Sequence, residues 1–174
     1  MKCRVWEKEG KPIRILVTGG TIDKSYNQIT GELVFTGSHV REILELVRCR
    51  VEVRVETVML KDSLEMIEKD RERILGACRQ SPEQRIIITH GTDTMAQTAR
   101  TLGPRLSEKT VVLVGAMVPF AFGRSDALFN LGCAFAAVQS LQHGVYVTMN
   151  GRIFPWDNVR KNRELGVFET KSEK

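Results

Sequence analysis

Three short runs place hydroxyl groups or small residues at the ends of apolar segments: Thr18-Gly19-Gly20-Thr21, Thr89-His90-Gly91-Thr92-Asp93-Thr94 and Gly115-Ala116-Met117. A threonine hydroxyl is a weak nucleophile near neutral pH, so acyl transfer at Thr21 or Thr92 requires an adjacent base and donors for the developing oxyanion. Glycine helps with the second requirement, because a backbone without Cβ lets N–H groups approach a ligand closely. The same glycines also suit a plain turn, and a Gly-Gly-Thr run alone does not separate that reading from an anion cradle. Phosphate binding is disfavoured: the chain has no G-x-x-x-x-G-K-[ST] run, and no G-x-G-x-x-G follows the first apolar segment. His90 could belong to a histidine triad, but a lone histidine beside glycine reads better as a hydrogen-bonded structural residue.

The elements that must position these residues follow from periodicity. Ile13 to Val17 predicts a buried strand running into the first glycine turn, with residues 4–7 pairing with it as a hairpin through Gly10. Residues 22–37 are polar and aperiodic, which predicts a mobile active-site lid with a small hairpin near Leu33 to Phe35. Ser38 can cap a helix reaching about Arg48, and residues 51–59 alternate as a strand should. A second helix is expected from near Leu64 to about Arg79, then a strand at Arg85 to Thr89 and a helix from about Thr94 to Leu102, closed by Gly103-Pro104. A strand at Thr110 to Val114, a helix from about Asp126 to Leu141 and a strand at Val145 to Met149 complete the pattern. This alternation predicts an α/β fold: one three-layer domain over residues 1–174, with a mainly parallel sheet flanked by helices. Sites in such sheets form at the carboxyl ends of strands, so the three turns should converge on one edge.

The length of 174 residues suits one domain and leaves no room for a second full one. With 42% hydrophobic and 27% charged residues the composition is that of an ordinary globular protein with a real core. The net charge of +5 permits nucleic-acid binding, but the basic residues are scattered and none of their runs is interleaved with stacking aromatics, so no nucleic-acid partner is expected. Cys3, Cys49, Cys78 and Cys133 are far apart and only three histidines occur, so reduced structural thiols are expected, with no metal and no cofactor. The charged start and the lack of an 18-residue apolar run predict a cytoplasmic protein without a membrane partner.

Taken together, the motifs resemble the asparaginase/glutaminase family, specifically its N-terminal catalytic domain. The matching stretches are Ile15 to Ile22, Ile88 to Met95 and Val114-Gly115-Ala116-Met117 with Pro119. They continue through Ser125-Asp126-Ala127, Asn130-Leu131 and Met149-Asn150-Gly151-Arg152 to Val159 and Lys161. The resemblance implies an amidohydrolase that releases ammonia from L-asparagine through a threonine acyl-enzyme. It implies that Thr21 takes the acyl group, that Thr92 is the second catalytic threonine, that Lys161 contacts Thr92, and that Asp93 pairs with Lys161 and binds the α-amino group. A lysine in that role must be desolvated or otherwise tuned to accept a proton near neutral pH. By itself, Lys161 would read as a surface lysine.

By the same resemblance Ser63 holds the substrate's α-carboxylate, although from the residues alone Asp62 or Ser63 is equally suited to capping a helix. Tyr26 is implied to close over Thr21, at a spacing found in short family members. Ala116 and Thr92 are implied to supply backbone N–H groups for the oxyanion, beside Gly20 and Gly91. Two departures stand out: the family's further C-terminal domain has no counterpart here, and Leu64 stands where many relatives have a polar residue. The missing cover implies a homodimer or higher homo-oligomer whose neighbour shields the pocket. Two other readings remain open, an asparaginase-like amidotransferase subunit and a non-catalytic amino-acid-binding domain.

Overall fold

Strand residues alternate faces with period two, and the apolar runs of this chain obey that rule across a shared sheet. Leu16, Ile86, Ile88, Val111, Leu113, Val145 and Val147 pack into one apolar cluster, whereas Ile13, Ile15, Val17, Ile87, Val112 and Val114 pack into another. Both faces of these strands are therefore buried, as expected of a parallel sheet sandwiched by helices.

The computed structural model describes residues 11–171. In chain order it contains β1 (Ile13–Gly19), β2 (Lys24–Tyr26), β3 (Leu33–Phe35), α1 (Val40–Leu46), β4 (Val53–Lys61), α2 (Glu68–Gln80) and β5 (Arg85–Thr89). There follow α3 (Met95–Leu102), β6 (Thr110–Val114), α4 (Ala127–Ser140), β7 (Gly144–Met149), β8 (Arg152–Pro155), β9 (Arg160–Asn162) and β10 (Val167–Glu169). The expected hairpin of residues 4–7 through Gly10 lies outside the described residues.

The central sheet has the order β4-β1-β5-β6-β7-β8. Neighbours from β4 to β7 are parallel, and β8 joins β7 antiparallel. Helices α2 and α3 contribute Ile74, Leu75, Cys78, Met95, Ala99 and Leu102 to the first cluster, while α1 and α4 contribute Val40, Ile43, Ala127, Leu131, Ala134 and Val138 to the second. The fold is thus α/β with a mostly parallel sheet between two helical layers. Because β1 lies between β4 and β5, the chain leaves β1 toward the α1 side and leaves β5 toward the α3 side. This is the topological switch point, where the diverging connections open a crevice.

Several boundaries differ from the sequence pattern. The first helix begins at Val40 and ends at Leu46, and Arg48 has a left-handed φ of 54°, which no helix continues through. Residues 63–65 form a separate 3₁₀ turn, and α2 starts only at Glu68, where the Asp70 carboxylate accepts from the Ile67 amide at 2.9 Å. The expected lid carries a full hairpin, with Lys24 to Tyr26 paired against Leu33 to Phe35. After Met149 a tight turn at Asn150 and Gly151, with φ of 55° and 75°, folds β8 back onto β7. Both central residues need positive φ there, which explains the Asn-Gly pair.

Candidate active site

Close backbone approaches at glycines assemble the site. A Cβ on Gly19 would fall on the Lys61 backbone at the end of β4, and one on Gly20 would fall on the Gly91 amide after β5. A Cβ on Gly91 would lie 2.6 Å from the Ser63 Oγ, and one on Gly115 would lie 2.6 Å from the His90 carbonyl and 3.1 Å from the Thr92 methyl. Only hydrogen fits at these four positions, and Gly19 and Gly20 also have φ of 93° and 82°. The glycines therefore wedge the ends of β4, β1, β5 and β6 into one cluster.

Within it, Thr92 is 5% exposed. Lys161 Nζ donates to Thr92 Oγ1 at 2.8 Å and to Asp93 Oδ1 at 2.9 Å. The Lys161 side chain is only 10% exposed. It reaches the site from β9, whose partner in register is Phe168 of β10; buried Val159 and Phe168 anchor that hairpin in the first apolar cluster. A lysine held between a hydroxyl and a carboxylate can pass a proton between them once its own ammonium has lost one.

Ser63 is 1% exposed, and its turn is tied to the segment after Asp93. Thr94 Oγ1 donates to the Ser63 carbonyl at 2.7 Å and the Thr94 amide donates to Ser63 Oγ at 3.4 Å. The capping role falls to Asp62, whose Oδ1 accepts from the Leu64 amide at 3.0 Å and caps the 3₁₀ turn, whereas Ser63 Oγ faces the Thr94 amide. Burial works against the Asp62 carboxylate, but the Lys24 ammonium and the Leu64 amide hold it below its usual range.

Thr21 opens the 3₁₀ turn after Gly20, half-buried, and makes no side-chain hydrogen bond among the described residues. Ala116 is fully buried beside Gly115. Tyr26 is 55% exposed on β2 and is not brought into hydrogen-bond contact with Thr21. Its hydroxyl instead lies beside Gly31 in the hairpin turn. His90 is structural: Nδ1 donates to the Gly91 carbonyl at 2.7 Å, which leaves Nε2 to accept from Thr98 Oγ1 at 2.8 Å. Burial pushes this imidazole down to about 4, with nearby Arg71 adding to the effect, so it stays neutral at physiological pH.

Supporting residues that spacing alone did not single out surround the turns. Asp126 accepts from the Met117 and Val118 amides at 3.0 Å, and Asn130 donates to the Gly115 carbonyl at 3.0 Å while accepting from the Asn150 amide at 3.2 Å. Thus α4 braces the Gly115-Ala116 turn. The available signal was an Asp and an Asn four positions apart at a helix start, which puts both on one face. The apolar groove lined by Ile43, Leu44, Val47, Leu128, Leu131 and Phe135 contains none of the site residues.

Comparison with known proteins gives the family of the fold. The chain is 34% identical over 154 residues to a glutamyl-tRNA(Gln) amidotransferase subunit of Methanococcus vannielii, covering 82% of this chain and 35% of that protein. It is 30% identical over 161 residues to an L-asparaginase of Thermococcus kodakarensis, covering 88% of this chain and 48% of the relative. The fold matches the solved structure of the thermostable L-asparaginase from Thermococcus kodakarensis with a TM-score of 0.81 at 28% identity, over 91% of this chain and 51% of that one. The chain therefore spans between a third and about half the length of the relatives it matches. The family described as asparaginase, N-terminal, matches residues 12–172, so the chain belongs to the asparaginase family and corresponds to its N-terminal domain.

Proposed function

We propose that this chain, acting as one catalytic domain over residues 1–174, hydrolyses the side-chain amide of L-asparagine to L-aspartate and ammonia in the cytoplasm. The observation that carries the proposal is Lys161 Nζ held at 2.8 Å from Thr92 and 2.9 Å from Asp93 at the switch-point crevice. A fold alone needs no buried lysine bridging a hydroxyl and a carboxylate. Thr21, whose hydroxyl is unengaged among the described residues, attacks the amide carbon; the C–N bond breaks, the nitrogen takes up a proton and leaves as ammonia, and water then cleaves the ester. Thr92 with Lys161 and Asp93 moves the protons. The backbone N–H groups of Thr92 and Ala116, in the turns that Gly91 and Gly115 allow to approach, receive the oxyanion. Ser63 takes the α-carboxylate and Asp93 the α-amino group, with Gly20 and Gly91 forming the floor and Tyr26 closing from the lid.

A fixed reach from Ser63 to Thr21 favours asparagine over glutamine; one methylene is worth about 1–3 kcal/mol, so minor glutaminase activity is expected. Exposed Met117, Val118 and Leu165 supply apolar surface on segments that adjoin site residues, which supports shielding by a second copy in a homo-oligomer. The relatives that are amidotransferase subunits favour a second reading, delivery of ammonia to a partner protein. Ammonia release from L-asparagine by the purified chain, with no partner added, tests both. Turnover without a partner is expected, and a kcat/KM ratio for asparagine over glutamine at or below one would sink the asparagine assignment.

A further inference from the structure

The lid hairpin is fastened at two points. At its base Asp23, fully buried, accepts from Ser38 Oγ at 2.9 Å and from the His39 amide at 3.0 Å, so the residue before β2 holds the segment after β3. The second fastening crosses to the site itself. Lys24, the first residue of β2, places Nζ 2.5 Å from Asp62 Oδ2, with side chains 18% and 29% exposed. The Phe35 ring on the paired strand lies 5.8 Å from the same Nζ. The other oxygen of Asp62 caps the turn that presents Ser63. One carboxylate therefore serves both the lid and the turn proposed to hold the substrate's α-carboxylate. The neighbouring Lys61 is engaged elsewhere, with Asp70 at 2.6 Å, so Lys24 is the cation that the lid brings to this point.

We infer that Lys24 is a positioning residue for the reaction proposed above: its ion pair with Asp62 latches the lid onto the Ser63 turn, coupling lid closure to capture of the substrate's carboxylate. A carboxylate arriving at Ser63 adds negative charge beside Asp62 and strengthens the hold on the Lys24 ammonium. The lid then tightens over Thr21 as substrate settles and loosens when product leaves. This rests on the amidohydrolase reading for its substrate, but the latch itself can be read without turnover.

The test compares Lys24→Met, Asp62→Asn, the double variant and Lys24→Arg. Methionine keeps packing on Phe35 and removes the charge; asparagine keeps an acceptor for the Leu64 amide and removes the latch. Hydrogen exchange of amides 24–35, with and without L-aspartate, should accelerate about tenfold in either single variant, no further in the double, and return toward wild type in Lys24→Arg. Steady-state kinetics should show KM for L-asparagine raised about tenfold, with kcat changed less than about threefold. Arg105→Gln, which removes one positive charge from a different ion pair, should leave lid exchange unchanged. Unchanged lid exchange in both single variants, or effects that add in the double, would overturn the latch. If no amide is hydrolysed by any form, lid exchange still decides the latch, so the two proposals fail separately.

Discussion

The two threonines sit in turns of opposite character. Thr92 is almost fully buried, its hydroxyl engaged by Lys161 and its turn wedged against Gly20, Ser63 and Gly115. Thr21, in the neighbouring turn, is half-buried, its hydroxyl has no hydrogen-bond partner among the described residues, and it leads directly into the lid hairpin. Under the proposed reaction, the contrast teaches that proton handling can be preorganised while the attacking group stays adjustable. Electrostatic groups gain from rigidity before the substrate arrives, whereas the nucleophile must be reached and then covered.

The most severe way to break the contrast is at the fixed side. Lys161→Met and Thr92→Val should each lower kcat/KM for asparagine by about a thousandfold or more, and the double variant should be little worse than either. Thr21→Ala should be as inactive while retaining affinity for L-aspartate by calorimetry; a Thr21→Ala enzyme keeping a tenth of the activity would remove Thr21 from the nucleophile's role.

Acidity separates the same regions. His90, behind the Thr92 turn, is pushed down to about 4, and Asp23, two residues after Thr21, is pushed up to about 6 by burial, against the lowering effect of its bonds to Ser38 and His39. The signs differ. The stability that neutral His90 contributes is complete above its unfolded value near 6.5 and is lost as pH falls toward 4. The stability that protonated Asp23 contributes is complete below its unfolded value near 3.8 and is lost as pH rises through about 6. Asp23→Asn, relative to wild type, should therefore gain about 2 kcal/mol of stability between pH 4 and pH 7 in urea melts. Parallel pH profiles for the two proteins would show that burial of the carboxylate has no such cost.

Smaller effects sharpen the picture. Ser63→Ala should raise KM by about 10- to 100-fold with a lesser change in kcat, because a hydrogen bond to a charged group is worth about 1.5–3 kcal/mol in ground and transition state alike. Gly91→Ala should cost about 1–3 kcal/mol of stability, since its methyl meets Ser63. Gly37→Ala, at the lid's foot with nothing within 4 Å of the added carbon, should change stability by less than about 0.5 kcal/mol. Equal costs at these two glycines in chemical denaturation would erase the distinction between wedge and lid.

The strands β1, β5, β6 and β7 of the parallel sheet were legible as short apolar runs and β4 by its alternation, and the glycine turns were legible because they interrupt those runs abruptly. Helix starts were less so: Ser38 does accept from the Val40 amide at 3.2 Å at the start of α1, but it also donates to Asp23, and residues 63–65 tighten into a separate turn. Neither event leaves a local signature. The segment after Met149 escaped because β9 and β10 are three residues each, too short for periodicity, although Asn150-Gly151 was a readable hairpin signal. The placement of Lys161 followed only from resemblance. The Lys24–Asp62 pair joins residues 38 positions apart, and no pattern along the chain announces it.

The antiparallel return of β8 gives the molecule an order of completion. A chain synthesised only through β7 already holds both threonines, Ser63 and Asp93 on the parallel strands' connections, yet carries no lysine between Thr92 and Asp93. Residues 150–161 must be translated, turn at Asn150 and Gly151, and dock through Val159 before the relay exists. A nascent polypeptide thus lacks the Lys161 bridge while its parallel strands are growing, and gains it through a segment that also closes one end of the first apolar cluster with Phe154 and Val159.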